Sequence, residues 1–489
     1  MRTITSLAVV ASLLCLFTTL AGQAELPANL RAILEKNASF HLDRFPIGFW
    51  NYTNLTSHGS HMTEAEVQGW ADAGFTLPMS PDFDPAKPEQ MQRMRNLLAW
   101  AVERHMKVIL CDRRANAPVP DEPGAKVPVL QDQEKKIASV VADFYGNPAV
   151  FGVEIGDEPS PANLDAFLTS ARLTKAAAPE WHPFINHLPY YSPGLEKATK
   201  HPMWSDIMDL FAKAAKEGNL DLLCYDCYAQ MLEDPLGVEI YYGNLRLFRE
   251  GSRRTGLPFW NTVLSVPHFV YRAPSYDDLR WQFNTSLASG AQGILWFFYY
   301  MREPHGNYRL APIDENWDRT PAWHDLRRLH QDFHRRYGDL FLRLVSTRVA
   351  FYPKAFAGGT VFAPDVLVSD LTIDNKEYVD DAGVHHNAMD PKHPLLLGEF
   401  ADLQGRRYVM LVNNSQTRNV RVAMTFPGKD VKVYSCDWSG AEVEGPAYCA
   451  DSPRRTDSGL QIWHWLAPGQ EAVYRVDSEQ IRAAKIVAE

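Results

Sequence analysis

The sequence has little that would direct it to nucleic acid, a nucleotide or a metal ion. Its formal net charge is −10 at pH 7, and its charged residues are spread along the chain rather than gathered in tails. This distribution argues against nucleic acid or an anionic membrane surface as partner. The chain has no Gly-x-Gly-x-x-Gly motif and no P-loop, and no His/Cys cluster has the spacing of zinc ligands. We therefore predict no metal and no other cofactor.

Long apolar runs are confined to the N-terminus. Arg2 supplies a positive charge, residues 7–20 form an apolar stretch, and Gly22-Gln23-Ala24 fits a cleavage site. This pattern predicts a signal peptide over 1–24 and a secreted or periplasmic mature protein. No later apolar stretch is long enough to span a bilayer, so we expect no membrane insertion of the mature form.

Cysteine is scarce, with six residues in 489. In an oxidising compartment Cys436 and Cys449 could close a short loop as a disulfide, and two free thiols are an equal alternative. Cys224 and Cys227 have CxxC spacing, but they lie in the apolar run 220–227. Buried thiols that fill space are the better interpretation of that pair.

The length predicts two domains, and the 46% hydrophobic content predicts a globular protein. From about residue 45 to 340, short apolar runs alternate with segments whose apolar residues have helical spacing. Eight such alternations predict a (β/α)8 TIM barrel over 25–343. The candidate strands are 46–50, 75–78, 108–111, 150–155, 183–186, 220–225, 259–264 and 294–298.

The pattern of apolar and polar residues changes after residue 343. Short runs of alternating polarity follow one another, separated by Gly, Asn, Pro and Asp, without long helical segments. They predict a C-terminal antiparallel β-sandwich domain over 344–489. The candidate strands are 397–400, 407–414, 420–426, 431–434, 460–465 and 471–476.

Two adjacent carboxylates, Asp157 and Glu158, end the apolar run 150–155 and precede Pro159. In parallel α/β barrels the catalytic groups lie where strands pass into their βα loops. Asp157 and Glu158 are therefore candidate catalytic residues rather than packing residues.

Several segments together resemble the secreted barrel glycosidases of the clan A type. They are 63–77, Gly-Asp-Glu-Pro-Ser at 156–160, 182–189, 225–228, 258–260 and 293–300. The trailing sandwich resembles the accessory β-domain that such enzymes often carry. The resemblance implies an exported glycoside hydrolase that cleaves O-glycosidic bonds of an oligo- or polysaccharide, with carbohydrate as its partner.

In that superfamily the general acid/base is a Glu at the end of the fourth strand, in an Asn-Glu-Pro or Asp-Glu-Pro setting. The resemblance assigns this role to Glu158. The chemistry requires a carboxylic acid that protonates the departing glycosidic oxygen, and apolar surroundings beside another negative charge would raise its pKa into a useful range.

The sequence departs from the family pattern at the seventh strand. Such enzymes place a nucleophilic Glu there, whereas 259–268 contains no acidic residue. Asp226, after the sixth strand, is the first candidate for the second carboxylate. Asp157 offers another route, because Asp-Glu pairs also resemble hexosaminidases that use the substrate's own acetamido group. The remaining alternative is a catalytically inactive carbohydrate-binding barrel.

Other residues at predicted strand ends could shape a sugar-binding site. An eighth-strand Trp is typical of sugar stacking, although barrels also bury large aromatic residues for packing. The candidates are Trp50, His58, His61, Asp112, Asn186, Tyr228, Asn261, Trp296 and Tyr299.

Some acids have structural interpretations. Glu154 lies on the same period-two face as Glu158, and we expect it inside the barrel with a salt bridge to Arg113 or Arg114. Asp157 could instead cap the following helix. Three further acids fall in the loop after the eighth strand, where solvated charge is the ordinary role and one of them could be the missing carboxylate. These are Glu303, Asp314 and Glu315.

Overall fold

The structure is a computed structural model that describes residues 24–118, 132–159, 163–189, 204–302, 307–379 and 382–489. The leader expected over 1–24 lies, apart from Ala24, outside these residues. Among the described residues, no helix combines the length and the apolar character needed to cross a bilayer.

Seven parallel strands form the first sheet, in the order β1-β7-β6-β5-β4-β3-β2. They are β1 (Ile47–Phe49), β2 (Val108–Leu110), β3 (Val150–Asp157), β4 (Phe184–His187), β5 (Leu223–Asp226), β6 (Phe259–Leu264) and β7 (Ile294–Phe297).

The segment 75–80 closes this sheet into a ring. The Leu77 N–H donates to the carbonyl of Ile47 on β1 at 3.0 Å, and the Ile109 N–H on β2 donates to the carbonyl of Pro78 at 3.0 Å. The segment therefore fills the gap between β1 and β2 as the second of eight positions. This confirms the predicted eight-membered barrel, in which β3 is the fourth strand and β5 the sixth.

Helices surround the barrel. They are α1 (Ala28–Ala38), α2 (Leu55–His58), α3 (Glu64–Asp72), α4 (Pro88–Glu103), α5 (Gln133–Phe144), α6 (Leu164–Ala177), α7 (Trp204–Lys216), α8 (Pro235–Thr255), α9 (Tyr276–Ala288), α10 (Pro321–Phe333) and α11 (Asp339–Phe341). In α4, Met94, Leu98 and Ala101 recur at helical spacing and are buried against the strands.

The period of two along each strand separates two apolar layers. On β7, Leu295 and Phe297 lie in the cluster that fills the barrel, whereas Ile294 and Trp296 lie in the cluster between strands and helices. The same alternation decides which side chains at the strand ends face the barrel mouth.

The second domain begins with β8 at Val345, and its two packed sheets confirm the predicted sandwich. One sheet has the order β17-β16-β20-β14-β13-β8-β9, and the other the order β10-β15-β19-β18. The strands are β8 (Val345–Tyr352), β9 (Thr360–Val361), β10 (Asp370–Ile373), β13 (Leu395–Ala401), β14 (Arg407–Asn413), β15 (Val420–Pro427), β16 (Lys432–Cys436), β17 (Glu442–Glu444), β18 (Arg454–Thr456), β19 (Gly459–Leu466) and β20 (Glu471–Asp477), with a separate pair β11 (Tyr378–Val379) and β12 (His385–His386) and a last helix α12 (Glu479–Ala483).

The barrel and the sandwich are packed together. The Phe341 and Phe400 rings meet edge to face at 5.5 Å, and the Trp281 indole N–H donates to the Asn414 side-chain oxygen at 3.0 Å. Gly398 lies so close to α9 that an added Cβ would be 2.3 Å from the carbonyl oxygen of Ala288. The two domains therefore share a continuous interface.

The disulfide considered for Cys436 and Cys449 is not formed. Both thiols are free, as are those of Cys111, Cys224 and Cys227. Cys224 and Cys227 are buried in the barrel wall, as the apolar run around them predicts.

Candidate active site

A β-bulge sets the positions of the acids on β3. The register of β3 against β4 shifts between Glu154 and Gly156, so the strand carries one residue more than its partner. Because of this extra residue, Asp157 pairs with Asn186 of β4 and directs its side chain to the mouth. Bulges commonly redirect a side chain in this way next to functional sites.

Glu158 follows in a left-handed backbone conformation. Its φ is +46°, a region that a non-glycine residue seldom adopts, and its N–H donates to the carbonyl of Asn186 at 2.8 Å. Gly156 is needed just before it, because at its φ of +146° an added Cβ would lie 2.7 Å from the Phe167 ring. The Glu158 side chain is exposed at the carboxyl end of the barrel.

Asp226, at the end of β5, faces Glu158. Its side chain is only 5% exposed, and its carboxyl group lies within hydrogen-bonding reach of that of Glu158. Burial, followed by the charges of Glu158 and Asp157, raises the pKa of Asp226 well above its usual range. Burial also raises the pKa of Glu158, and the interaction with Asp226 opposes that rise. The two acids therefore titrate as a coupled pair, in two separated steps.

Asp157 is held by a polar network inside the barrel. The Asn186 amide donates to Asp157 Oδ1 at 3.0 Å, and the Thr262 hydroxyl donates to Asn186 Oδ1 at 3.3 Å. Although the Asp157 side chain is open to solvent on one side, enclosure by protein on the others raises its pKa to about 6. Asp157 is not a helix cap, since α6 begins at Leu164 and is preceded by Asn163.

Aromatic side chains surround these acids. Tyr228 lies beside Asp226 and 5.0 Å from the Phe297 ring, although neither the Tyr228 hydroxyl nor Asp226 Oδ1 has a well-formed hydrogen bond among the described residues. Trp50, which follows β1, is 5% exposed. Its ring centroid lies 6.5 Å from that of Phe184.

Three mouth residues were not singled out from the sequence: Tyr52, Arg302 and Tyr308. The Arg302 guanidinium lies 3.9 Å from the Tyr52 ring and 5.3 Å from the Tyr308 ring. The pKa of Tyr52 is raised by burial first and then by the charge of Asp157, which places its hydroxyl close to the acids. Tyr52 lies two residues after the candidate Trp50, and this closeness in sequence was the one available signal for it.

Three predicted sugar-binding residues lie on the other side of the barrel wall. Trp296 is fully buried, and its indole N–H donates to His330 Nε2 at 2.8 Å. Tyr299 stacks on Phe49 at 4.4 Å and accepts a hydrogen bond from Trp323. The Asn261 amide donates to the Ser286 hydroxyl of α9 at 2.9 Å. The prediction that these side chains line the mouth is wrong, because each bonds to a side chain of a helix outside the barrel.

Three other candidates have local partners. Asp112 is fully buried and forms two hydrogen bonds with the Arg114 guanidinium, at 2.7 and 3.0 Å. His61 is exposed and stacks on Trp317 at 4.1 Å, and His58 Nδ1 accepts the Asn54 N–H at 3.3 Å. The structure does not bring these three residues into contact with the acids.

Glu154 does lie inside the barrel, but the expected salt bridge is absent. Arg113 pairs with Asp82 and Arg114 with Asp112 and Asp143. Glu154 instead has a hydrogen bond with the Cys111 thiol, and burial, followed by the charge of Asp157, raises its pKa to about 7. The arginines therefore pair with acids outside the barrel interior, one of which, Asp143, lies on α5.

The two loop acids within the described residues, Asp314 and Glu315, are not brought to the acids at the mouth. Asp314 Oδ1 accepts the N–H groups of Asn316 and Asp318, so it organises its own turn, and Glu315 is exposed. Glu303 lies outside the described residues. Within those residues no group of three or more His, Cys, Asp or Glu side chains is arranged to hold a metal ion.

No protein-family model and no curated protein sequence matches the chain. Solved structures of similar fold are glycoside hydrolases, as the sequence resemblance implied. A family 39 glycoside hydrolase from the gut symbiont Bacteroides cellulosilyticus WH2 is 10% identical, with a TM-score of 0.46 over 91% of this chain and 82% of that one. A glucosidase from Croceicoccus marinus is 11% identical, with a TM-score of 0.42 over 89% and 96%.

A β-galactosidase from the psychrophilic Marinomonas ef1 is 11% identical, with a TM-score of 0.44 over 59% of each chain. This chain therefore spans less than two thirds of the length of the Marinomonas enzyme. At such identities the likeness concerns the fold alone.

Proposed function

We propose that this protein is an exported glycoside hydrolase in which Glu158 acts as general acid/base and Asp226 as the second carboxyl group. The observation that supports this most strongly is the contact between an exposed acid and a buried acid at the barrel mouth. Proteins rarely bury a carboxyl group beside two others unless the site uses it.

The pair is suited to deliver a proton at neutral pH. Glu158 is the member that an entering saccharide can reach, and Asp226 holds the proton from below through their hydrogen bond. As the glycosidic C–O bond breaks, the one proton of the pair passes from Asp226 through Glu158 to the departing oxygen, which leaves both carboxyl groups ionised. General acid catalysis of this kind typically contributes about 10²–10⁴-fold.

The second step requires a group that completes the substitution at the anomeric carbon. Two directly hydrogen-bonded carboxyl groups are closer together than the roughly 5–5.5 Å of a retaining pair or the roughly 6.5–9.5 Å of an inverting pair. Entry of a sugar between Glu158 and Asp226 would have to separate them, and Asp226 would then face the anomeric carbon as base or nucleophile.

A substrate-assisted mechanism is a second candidate, and the fixed position of Asp157 favours it. The Asn186 amide holds Asp157 beside Glu158, with its side chain open to the mouth. In this mechanism Asp157 orients the substrate's acetamido group, whose oxygen attacks the anomeric carbon while Glu158 protonates the leaving oxygen. Asp226 then serves only as the proton reserve.

A catalytically inactive sugar-binding barrel is the less favoured alternative. It would be favoured if Glu158 stood alone, but Asp226 and Asp157 both lie next to it. The aromatic mouth around Tyr52, Tyr228 and Phe297 suits either a binding protein or an enzyme, because pyranose rings stack on such surfaces.

A panel of aryl glycosides tests the proposal. It includes glucosides, galactosides, mannosides, xylosides and N-acetylglucosaminides, and is extended to soluble polysaccharides. We expect wild-type protein to release aryl alcohol from at least one member and Glu158→Gln to lose this turnover while its circular dichroism spectrum is unchanged. Glu103→Gln is the matched control, since Glu103 is 64% exposed at the end of α4. Full turnover by Glu158→Gln, or no turnover of any member, would contradict the proposal.

Export is part of the same proposal and has its own test. N-terminal sequencing of the protein secreted by its producing cell, or by a heterologous host carrying the full chain, should begin near Glu25. A mature protein that still begins at Met1 would remove export from the proposal and leave the enzymatic part untouched.

A further inference from the structure

A cavity that is remote in sequence from the acids lies where the barrel meets the sandwich. It has a volume of about 220 Å³. Arg336 and Tyr337, in the π-helical turn after α10, form one wall, and β16, β19 and β20 form the others together with the loop 447–450. Ring-shaped small molecules fit a space of this size, which is below the roughly 300–1,000 Å³ of larger ligand pockets.

Two exposed aromatic side chains line this cavity. Trp438 is 49% exposed and Tyr448 is 42% exposed, which is unusual for large apolar groups. Their ring centroids are 5.1 Å apart, and the backbone N–H of Trp438 donates to the Tyr448 hydroxyl at 3.1 Å. This contact fixes the two residues relative to each other while their outer faces remain open. A third exposed ring, Trp465 at 42%, also lines the cavity.

Polar groups stand at the edge of these rings. The Arg336 guanidinium lies 5.0 Å from the Trp438 ring and donates to Glu471 Oε1 at 3.4 Å. Its Nε is buried and has no hydrogen-bond partner among the described residues. Glu471 is held from the other side by the Asn284 amide at 2.8 Å. A guanidinium beside a positioned carboxylate, both partly exposed, is an arrangement that can pair with hydroxyl groups.

The cavity has no excess of charge of either sign. Arg336 is balanced by Glu471, and His464, the only other basic side chain lining it, is buried and kept neutral by a pKa of about 4. An anion in the cavity would be repelled by Glu471, and a cation would be repelled by Arg336. A neutral ligand with an apolar face and polar edges meets neither difficulty.

We infer that this cavity is a second carbohydrate-binding site, which takes one neutral pyranose ring of a saccharide chain. The C–H face of the ring stacks on Trp438 and Tyr448, and its hydroxyl groups pair with the accessible part of the Arg336 guanidinium and with Glu471. The site is independent of Glu158, so it stands whether or not the barrel hydrolyses glycosidic bonds. It would hold a polysaccharide on the sandwich domain and so raise the local concentration of chain near the protein.

Affinity electrophoresis of the full chain tests this inference. Native gels contain a neutral soluble polysaccharide, with xylan, glucomannan, galactan and mixed-linkage β-glucan as the probes. The proteins compared are Glu158→Gln, which is not expected to degrade the gel, and the same chain carrying Trp438→Ala or Tyr448→Ala. Tyr145→Ala in the Glu158→Gln chain is the matched control, since Tyr145 is an aromatic residue that is 51% exposed on the barrel.

We expect at least one polysaccharide to retard Glu158→Gln and its Tyr145→Ala control equally. Each cavity substitution should weaken that binding by about tenfold or more, the usual effect of truncating a stacking aromatic residue. Equal retardation of all four proteins, or retardation of none by any probe, would overturn the inference. Failure of the proposed hydrolase has a separate signature, since it is loss of turnover and leaves retardation unaffected.

Discussion

The carboxyl group of Asp226, buried under the barrel mouth, lies within hydrogen-bonding reach of the exposed carboxyl group of Glu158. Two acids in direct contact cannot both ionise easily, so the pair titrates in two separated steps rather than as two independent groups. Both the chemistry of the pair and its effect on stability follow from this coupling.

The buried acid should make the protein less stable as the pH rises. The folded-state pKa of Asp226 lies above its unfolded value, so the folded protein holds a proton that the unfolded chain has already released. The contribution of Asp226 to stability is therefore fully present below its unfolded pKa and is lost as the pH rises from that value through the folded pKa. Asp226→Asn removes this dependence, and its melting temperature should exceed that of the wild type increasingly between pH 5 and pH 8.5. A constant difference between the melting temperatures of wild type and variant across that range would show that Asp226 is ionised in the folded protein.

Trp296 should matter for stability and not for substrate affinity. Trp296→Phe removes the indole N–H that satisfies His330 Nε2, in a fully buried setting, and leaves a small cavity. We expect the free energy of unfolding in urea to fall by roughly 2–4 kcal/mol. The KM for the best glycoside should be unchanged. A raised KM with unchanged stability would instead place Trp296 against the substrate.

Asp221 forms a charged cluster at the opposite end of the barrel from the acids. Burial alone would raise its pKa, but hydrogen bonds from His182, Lys175 and Lys36 hold that pKa well below its usual range. Its contribution to stability is present above the unfolded value and is lost as the pH falls towards the folded value. Asp221→Asn should therefore cost roughly 3 kcal/mol in urea unfolding at pH 7, because two lysines lose their counter-charge. The difference from wild type should shrink as the pH falls below about 4.

The role of Asp157 separates the two mechanisms. If the acetamido group of the substrate is the nucleophile, Asp157→Asn should lower kcat on N-acetylglucosaminides by about 10²-fold or more, because the amide is no longer oriented. On sugars that carry a plain 2-hydroxyl group the loss should be small. Equal and modest losses on both kinds of sugar would assign the second carboxyl role to Asp226.

The barrel could be predicted from the sequence because the pattern that marks it lies in short stretches of the chain. Apolar runs and amphipathic helices alternate along the chain, and the second strand position was recognised even though residues 75–80 adopt irregular strand geometry. Strand order then followed from the short connections, which bring Asp226 of the sixth strand and Glu158 of the fourth to the same rim.

The orientation of strand-end side chains could not be predicted in the same way. The bulge at Glu154–Gly156 turns Asp157 to the mouth, and nothing in the residue pattern marks that extra residue. On β7 the apolar run is continuous, so alternation gives no sign that Trp296 faces the helices and Phe297 the interior. Arg302 reaches the mouth from a loop, where the contacts are set only by the folded chain.

The leaving-group dependence of catalysis tests the role of Glu158 most directly. The measurement is kcat/KM for aryl glycosides whose leaving groups range from dinitrophenol to unsubstituted phenol and methanol, in wild type and in Glu158→Ala. An enzyme that has lost its general acid still expels an activated leaving group, so we expect a small deficit for dinitrophenyl glycosides and a deficit of about 10²–10⁴-fold for phenyl and methyl glycosides. A deficit of the same size for every leaving group, or none for any, would contradict proton donation by Glu158.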